Sequence, residues 1–227
     1  MAKVKIAFLG VNNAGKRIYD WLVNSGEDVR CLLMEKEELK QIESIKPDII
    51  VSCGFRYIVT ANIRQIPSMG CINIHSSYLP YNRGANPNVW SIIEDTPAGV
   101  SIHFMDDGID TGPIIARRKI KINFSDNARD VYQKLEDTQV ELFREVWEQI
   151  KQGSINPIEQ QKDEGTFHTV KDFKEICQIE LDKAYTVREL LNRLRALTFS
   201  PYDNAYVIVD GEKFYLRLEV YSENARK

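Results

Sequence analysis

The sequence predicts an α/β fold in which a mostly parallel, twisted sheet carries helices on both faces, followed by a small C-terminal α+β appendage. Three observations lead to this class. Apolar segments alternate with helical segments over the first half of the chain, a pattern typical of parallel βαβ units. The segment DIIVS at 48–52 is continuous in apolar residues at its centre, as expected for a strand buried on both faces. The last third of the chain changes to a helix followed by a hairpin pattern.

The first half of the chain predicts three strands and two helices. Lys3–Leu9 is an apolar strand that ends at Gly10, and a turn and a helix follow until Gly26. Val29–Met34 is the second strand, a charged helix covers 35–45, and DIIVS is the third strand. Parallel units of this kind bring the carboxyl ends of their strands to one edge of the sheet, where open α/β sheets bind ligands.

The second half begins with a short strand, Cys71–Ile74, that runs into a polar segment. Gly99–Met105 and Gly112–Ile122 predict two further strands on either side of the turn DDGIDTG. A long amphipathic helix covers 127–151, with Gly153 just past its end.

The composition becomes mixed beyond Gly153, which places a domain boundary near residue 155. The prediction is a catalytic domain over 1–155 and a smaller C-terminal region over 156–227. In that region Thr186–Leu197 has the apolar spacing of a helix.

A hairpin is predicted in the C-terminal region. Ala205–Val209 and Lys213–Val220 are strand-like and flank the dipeptide Asp210-Gly211, which favours a tight turn. The apolar side chains of these strands exceed what two short strands can bury alone. We therefore expect a homodimer contact in this region.

Charge and cysteine content exclude several classes of function. The chain has 30 Lys and Arg against 33 Asp and Glu, and no dense basic stripe of the kind that grips phosphate backbones. No apolar run approaches the ~20 residues that cross a bilayer, and MAKVKIAFLG is too short in apolar residues for a signal peptide. The four cysteines show no metal-ligand spacing and indicate buried thiols in a reducing compartment. We expect a cytoplasmic protein without metal, membrane or nucleic-acid partners.

Polar residues collect at the end of the fourth strand and in the turn after the fifth. Asn73 and His75 are two residues apart, so strand alternation puts them on one face. An amide and an imidazole facing one pocket form a donor pair for a carbonyl oxygen that gains negative charge. Asp110 lies in a glycine-flanked turn that can bring a carboxylate to the same strand ends. A carboxylate there raises the pKa of an imidazole and can relay a proton.

Taken singly, each of these residues has a structural explanation. An asparagine at a strand end is often a turn residue, a lone histidine is usually a satisfied structural residue, and Asp before Thr-Gly commonly forms a turn. His103 lies within an apolar strand, and we interpret it as structural.

The segments INIHSSYLPYNRGANPNVW and HFMDDGIDTGPI resemble the signature of the folate-dependent formyltransferase superfamily. The shared pattern is Asn-x-His, then Leu-Pro, then Arg-Gly, and later Asp-x-Gly-x-Asp-Thr-Gly. This superfamily includes glycinamide ribonucleotide transformylase, methionyl-tRNA formyltransferase and the sugar N-formyltransferases. The resemblance spans about residues 3 to 150 and implies a Rossmann-like catalytic domain that uses 10-formyltetrahydrofolate as formyl donor.

The resemblance implies roles for the three polar residues. Asn73 would bond the formyl oxygen, His75 would stabilise the oxyanion, and Asp110 would manage proton transfer from the attacking amine. The folate pocket would lie between the loop after the third strand and the turn that carries Asp110, with core packing as the alternative for the apolar members. The corresponding positions are Phe55, Arg56, Tyr57, Ile58, Met105, Asp106, Asp107 and Gly108.

The resemblance also places the acceptor amine where the first strand meets the first helix. The glycine turn there offers free backbone N–H groups that can bind phosphate, although it lacks the complete dinucleotide and P-loop patterns. For every candidate residue, a role in packing or in a turn is the alternative to substrate binding. The turn candidates are Gly10, Asn12, Asn13 and Lys16, and the candidates near the sugar are Tyr78, Tyr81, Asn82, Arg83 and Trp90.

The C-terminal segment helps to identify the class of molecule that accepts the formyl group. LRALTFSPYDNAYVIVDGEKFYLRLEV is similar to the opening of the C-terminal domain of methionyl-tRNA formyltransferases, but it stops after about two strands. A short tail, together with GTFHTVKDF and PYNRGANPNVW, most resembles the sugar N-formyltransferases, which implies a nucleotide-linked amino sugar as acceptor. Methionyl-tRNA formyltransferase-like or glycinamide ribonucleotide transformylase-like activity is an alternative, and a non-catalytic folate- or nucleotide-binding regulator is another.

Overall fold

The computed structural model describes residues 3–10, 12–161 and 163–223. Its strands are, in chain order, β1 (Lys5–Leu9), β2 (Asp28–Leu33), β3 (Ile49–Ser52), β4 (Cys71–His75), β5 (Arg83–Gly84), β6 (Gly99–Phe104), β7 (Ile114–Lys119), β8 (Phe167–His168), β9 (Thr198–Phe199), β10 (Tyr202–Asp203), β11 (Tyr206–Val209) and β12 (Glu212–Tyr215). Its helices are α1 (Asn13–Asn24), α2 (Ile42–Ile45), α3 (Ala61–Arg64), α4 (Pro87–Ile93), α5 (Ala128–Gln152), α6 (Val170–Cys177) and α7 (Val187–Leu197). A 3₁₀ helix, Lys36–Gln41, directly precedes α2. Within the described residues, no helix combines the length and the apolar character needed to span a membrane.

Six strands form the central sheet in the spatial order β2-β1-β3-β4-β6-β7. The first four are parallel to one another, whereas β6 is antiparallel to both of its neighbours. This reversal pairs Asn73 of β4 with His103 of β6. The predicted mostly parallel sheet is confirmed, and the strand reversal lies where its polar residues collect.

Alternation along β1 explains why helices cover both faces of the sheet. Ile6 and Phe8 contact a core cluster that includes side chains of α1 and α5, whereas Ala7 and Leu9 contact a second cluster on the opposite face. All of β3 is buried, as predicted for a strand covered on both sides.

The long helix α5 agrees with the predicted helix over 127–151. The side chain of Asn127 accepts hydrogen bonds from the first-turn amides, and Gly153 ends the helix in the left-handed conformation at a φ of 65°. Leu135, Phe143 and Trp147 are fully or almost fully buried. The apolar stripe therefore has the core-facing role that its spacing predicts.

Two predicted elements differ in the structure. The segment predicted as a helix over 35–45 is a 3₁₀ helix followed by one turn of α-helix, and Lys46 ends it at a left-handed φ of 47°. The second hairpin strand ends at Tyr215 rather than at Val220. One more hydrogen bond follows, from Leu216 N to the Ala205 carbonyl oxygen at 2.8 Å, and Leu218 N then donates to the Thr198 hydroxyl at 3.0 Å instead of to a strand partner.

The C-terminal region shares its core with the sheet. Ala196, Leu197 and Val207 are buried in the same cluster as Ile6 of β1. The segment that follows the predicted boundary near residue 155 also returns to the catalytic region, since Ile158 forms a bridge with Ile114 of β7 and β8 pairs with β5 in a separate two-stranded sheet. The boundary itself stays a prediction.

Candidate active site

The main cavity, of about 520 Å³, is lined by the last residues of β3 and β4 and by the turn before β7. Ligand sites of open α/β sheets lie at this edge. The polar residues that line it include Asn73 and His75 on β4, His103 on β6, and Asp110 in the turn. Two stretches of chain that are far apart in sequence therefore meet in one cavity.

Asn73 and His75 flank the carboxylate of Asp110. His75 Nε2 lies 3.6 Å from Asp110 Oδ2, and Asn73 Nδ2 donates to Asp110 Oδ1 at 3.4 Å. The side chains of His75 and Asp110 are only 11% and 12% exposed. An amide and an imidazole thus share a carboxylate that is almost withdrawn from water.

Backbone geometry holds Asp110 in place. Gly84 N donates to Asp110 Oδ2 at 2.9 Å, and Asp110 has a left-handed φ of 55°, which is uncommon for a residue other than glycine. Gly112 allows the turn to approach β6, because a Cβ at this position would collide with the carbonyl oxygen of Phe104. The Asp-Thr-Gly sequence therefore has a local structural reason as well as a chemical one.

His103 belongs to the site, and its interpretation as a structural residue was incomplete. The ring is 2% exposed, and its Nε2 lies 3.4 Å from both Asp110 Oδ1 and Asn73 Nδ2. Its Nδ1 donates to the carbonyl oxygen of Phe104 at 2.8 Å. The signal in the sequence is a single polar residue in an apolar strand just before the DDGIDTG turn.

Burial and neighbouring charges oppose each other at the Asp110 carboxylate. Burial alone would raise its pKa, but His75, His103 and the Gly84 amide together hold the pKa well below its usual range. Burial lowers the pKa of His75 below 6.5, against the attraction of Asp110. At neutral pH the pair is an ionised carboxylate and a neutral imidazole.

The eight positions predicted for the folate all line the main cavity. Phe55 also packs against the second core cluster, whereas Ile58 is 70% exposed, so core packing does not explain Ile58. Arg64, which the sequence reasoning missed, lines the cavity and binds the Asp107 carboxylate and the Asp106 carbonyl oxygen. Arg64 therefore ties the wall formed after β3 to the turn after β6.

The turn between β1 and α1 lies outside the main cavity, and its Val11 is not among the described residues. Asn12 caps α1 by accepting from Gly15 N at 2.8 Å, and a Cβ on Gly10 would collide with the backbone at Phe55. Asn13 Nδ2 donates to the buried Glu136 carboxylate at 3.0 Å. Lys16 forms an exposed ion pair with Asp20 on the helix surface, at 2.7 Å.

The candidates predicted near the sugar also lie outside the lining of the main cavity. Tyr78 packs beneath the Arg117 guanidinium, 4.5 Å from its ring centroid. Trp90 is buried and stacks on His168 with ring centroids 3.8 Å apart. Tyr81 is half-buried. Asn82 and Arg83 are buried and immediately precede Gly84, so they support the backbone that holds Asp110.

A second cavity, of about 260 Å³, lies where α4 and α5 meet the C-terminal region. We call it the aromatic cleft, because Tyr132, Phe173, Phe199 and Tyr202 all line it. None of these four was found by sequence reasoning, since they come from three separate stretches of chain.

The aromatic cleft borders the main cavity and the turn before α1. Ala85 lines the main cavity and Asn86 lines the cleft, so consecutive residues separate the two. Burial and the nearby Glu136 raise the pKa of the Tyr132 hydroxyl, against the opposing influence of the neighbouring Asn12 side chain. The predicted acceptor turn therefore contacts the wall of the cleft rather than the main cavity.

Comparisons with known proteins agree with this geometry. Residues 24–147 match the sequence model of a family described as formyl transferase, and residues 172–222 match one described as the N-formyltransferase dimerization C-terminal domain. A dTDP-4-amino-4,6-dideoxyglucose formyltransferase of Mycobacterium tuberculosis is 38% identical over 70% of this chain and 68% of the relative. A methionyl-tRNA formyltransferase of Bacillus subtilis is 32% identical over 78% of this chain and 54% of that enzyme.

Solved structures of formyltransferases are also similar to this chain. A 4-N formyltransferase of Francisella tularensis has a TM-score of 0.85 and 32% identity, and the match covers 96% of this chain and 98% of that chain. A formyltransferase of Anoxybacillus kamchatkensis, solved with UDP-4,6-dideoxy-4-formamido-L-AltNAc and tetrahydrofolate, has a TM-score of 0.65 and 37% identity over 75% of this chain and 88% of that chain. The family model spans more than half of this chain and contains Asn73, His75 and Asp110. The chain belongs to the formyl transferase family.

Proposed function

We propose that this protein transfers the formyl group of 10-formyltetrahydrofolate to the primary amine of a nucleotide-linked amino sugar. The observation that carries the proposal is the meeting of Asn73, His75 and Asp110 in one cavity of a formyl transferase family chain. The Mycobacterium tuberculosis relative is named for a dTDP-linked amino sugar. The Anoxybacillus kamchatkensis structure holds tetrahydrofolate and a UDP-linked formamido sugar. Both support this acceptor class.

The main cavity fits the formyl donor in size and in chemistry. Its volume of about 520 Å³ lies within the range of cofactor pockets. Phe55, Ile58 and Met105 supply apolar walls, and the backbone of 106–108 offers groups for the polar edge of a pterin. We assign the eight predicted positions to the donor, with Arg56 and Tyr57 on its tail. When bound, 10-formyltetrahydrofolate supplies the activated formyl carbon.

Asn73 and His75 would act on the formyl oxygen. An N–H group is most useful where negative charge develops, and the two side chains present such groups from the same face of β4. His75 Nε2 faces two acceptors, the Asn82 carbonyl oxygen at 3.4 Å and Asp110 Oδ2 at 3.6 Å. This surrounding favours the tautomer with its proton on Nε2, so that the neutral imidazole is a donor.

Asp110 would take the proton of the amine. An amine must lose a proton as its nitrogen bonds to the formyl carbon, and a nearby base makes this step possible. The low pKa of Asp110 keeps the carboxylate ionised before the amine arrives. The carboxylate would accept the proton directly or through one water molecule. The bond between the formyl carbon and N10 of the folate would then break, with a proton returned to N10, which releases tetrahydrofolate.

The aromatic cleft is our proposed place for the nucleotide of the acceptor. Tyr132 and Tyr202 supply faces on which a base can stack, and Asn12 at the N-terminus of α1 contacts Tyr132. An acceptor lying there would reach the formyl carbon past Ala85 and Asn86. Gly10, Asn13, Lys16 and the candidates near the sugar stay proposals for contacts around this path.

The C-terminal region is our proposed dimer contact. It matches the dimerization domain model over 172–222, and the apolar side chains of Ile208, Phe214 and Tyr215 in the hairpin are 45%, 45% and 54% exposed.

We also propose that the protein works in the cytoplasm, because its four cysteines are all unpaired thiols, as in reducing compartments.

The test is a transfer assay with 10-formyltetrahydrofolate and a panel of nucleotide-linked amino sugars. We expect an N-formylated nucleotide sugar, identified by mass spectrometry. Charged methionyl-tRNA and glycinamide ribonucleotide are tested as alternative acceptors in separate, parallel reactions. Turnover with charged tRNA alone would replace the sugar assignment, and folate binding without any turnover would indicate a regulator.

A further inference from the structure

A segment that follows the catalytic region in sequence returns to the residues that hold the site. We call residues 158–168 the strap; all of them except Lys162 are described. The strap lies between the two matched family regions, which end at residue 147 and begin at residue 172. Backbone hydrogen bonds of 2.8 Å attach it at both ends, between Ile158 and the first residue of β7 and from Ala85 N to His168 O.

Gln160 of the strap uses all the polar atoms of its side chain. Its Nε2 donates to the carbonyl oxygens of Asp110 at 2.9 Å and Gly112 at 2.7 Å. Its Oε1 accepts from Arg83 Nε at 3.2 Å. The three contacts fix the amide orientation, because the opposite one would set its oxygen against two carbonyl oxygens and its nitrogen against a guanidinium group.

The two segments that Gln160 joins are the ones that meet at the reacting carboxylate. Gly84, next to Arg83, donates through its backbone N to Asp110 Oδ2 at 2.9 Å. Asp110 itself has a left-handed φ of 55°, a conformation that persists only where its surroundings hold it. Gln160 holds the carbonyl oxygen of this same residue.

Thr166 provides a second attachment, on the His75 side. Its hydroxyl accepts from Asn82 N at 2.9 Å and donates to Asn82 Oδ1 at 3.0 Å. Its carbonyl oxygen accepts from Arg83 N at 2.9 Å. The Asn82 carbonyl oxygen faces His75 Nε2 at 3.4 Å. The strap thus supports the neighbours of both His75 and Asp110.

We propose that the strap aligns the reacting groups and that Gln160 is its main positioning residue. Gln160 is not among the residues that line the main cavity, so it acts through Asp110 and touches no substrate. Loss of its side chain would leave the turn free to carry the carboxylate away from the Gly84 amide and from His75. The kinetic consequence rests on the proposed formyl transfer, whereas the structural consequence does not.

The test compares Gln160→Ala with Gln161→Ala. Gln161 is the matched control, because its side chain is exposed and its contact with Arg83 is made by the backbone carbonyl oxygen, which alanine retains. We expect Gln160→Ala to lower kcat about 100-fold, as a misplaced reacting group does. The KM values of both substrates should change by less than about threefold. Gln161→Ala should behave like the unaltered protein.

Hydrogen exchange of the Gly84 amide gives a readout that needs no activity. Its acceptor is the Asp110 carboxylate, so Gln160→Ala should speed its exchange about tenfold or more, and Gln161→Ala should leave it unchanged. Unchanged Gly84 exchange in a folded Gln160→Ala protein would overturn the proposal. Absence of transfer by the unaltered protein would instead remove the proposed function, and the exchange test would still decide the role of the strap.

A second variant covers the case in which Gln160→Ala does not fold. Gln160→Glu keeps the size of the side chain and its acceptor for Arg83, but it sets an oxygen against the carbonyl groups of Asp110 and Gly112. We expect the same loss of kcat and the same faster exchange of the Gly84 amide. Wild-type values for both in Gln160→Glu would overturn the positioning role.

Discussion

The main cavity and the aromatic cleft border each other at Ala85 and Asn86, yet they are built in different ways. The polar groups of the main cavity sit on strand ends and in a turn, and backbone contacts such as Gly84 N to Asp110 Oδ2 (2.9 Å) hold them. The cleft is lined by aromatic side chains from α5, α6 and the short C-terminal strands. The sheet therefore fixes the chemistry, while the helices and the C-terminal region form the surface that would select the acceptor.

Asp110→Asn should give the largest effect and separates chemistry from binding. We expect kcat to fall about 1,000-fold, because the amide cannot take the proton of the amine. The asparagine oxygen can still accept from Gly84 N, so the fold should persist, as thermal unfolding would show. A well-folded variant that loses less than about tenfold in kcat would contradict the role of Asp110.

Asn73→Ala tests the other side of the main cavity. The loss of one donor to the formyl oxygen should lower kcat/KM about 100-fold, mainly through kcat. Asn24→Ala, at the exposed end of α1, is the control with the same chemical change. Equal kinetics for the two variants would show that Asn73 is only a strand-end residue.

Tyr202→Ala tests the aromatic cleft, where the expected effect is on binding. Tyr202 is 65% exposed and lines the cleft, so its removal should cost little stability. We expect the KM of the nucleotide sugar to rise about tenfold, the value of one lost aromatic contact. The KM of the folate donor is the internal control and should not change. A change in the folate KM alone would assign the cleft to the donor.

The smallest expected effect is a shift in the titration midpoint of His75, which lies in the main cavity. The chain has three histidines, so NMR can follow the ring of each one. The His75 midpoint should lie below 6.5, because burial lowers its pKa, and Asp110→Asn should lower it further by removing the carboxylate that raises it. A midpoint above 6.5, or a rise in Asp110→Asn, would contradict the neutral imidazole.

The sequence predicts the main cavity better than the cleft for a physical reason. Asn73 and His75 share a face through strand alternation, which is a local property. The sequence favours a structural role for His103, because its place in the site depends on the antiparallel pairing of β6 with β4, which brings it opposite Asn73. Long-range pairing of this kind leaves no periodic pattern in the sequence.

The strap and the cleft depend still more on contacts between distant segments. Gln160 follows the predicted boundary near residue 155, and nothing in its local sequence links it to Asp110. Tyr132 lies in an amphipathic helix. The apolar spacing of that helix predicts which face is buried, but not which other segments of the chain contact it. The apolar spacing of α5, in contrast, is a local signal, and the structure has the helix that this spacing predicts.

The most direct measurement is a crystal structure of the protein with 5-formyltetrahydrofolate, a stable relative of the proposed donor. We expect the ligand in the main cavity, with N10, the nitrogen that carries the formyl group in the proposed donor, directed toward Asn73 and His75. N10 should also lie on the side of the cavity that contains the Asp110 carboxylate. A ligand bound in the aromatic cleft, or with N10 turned away from these three side chains, would contradict the proposed chemistry.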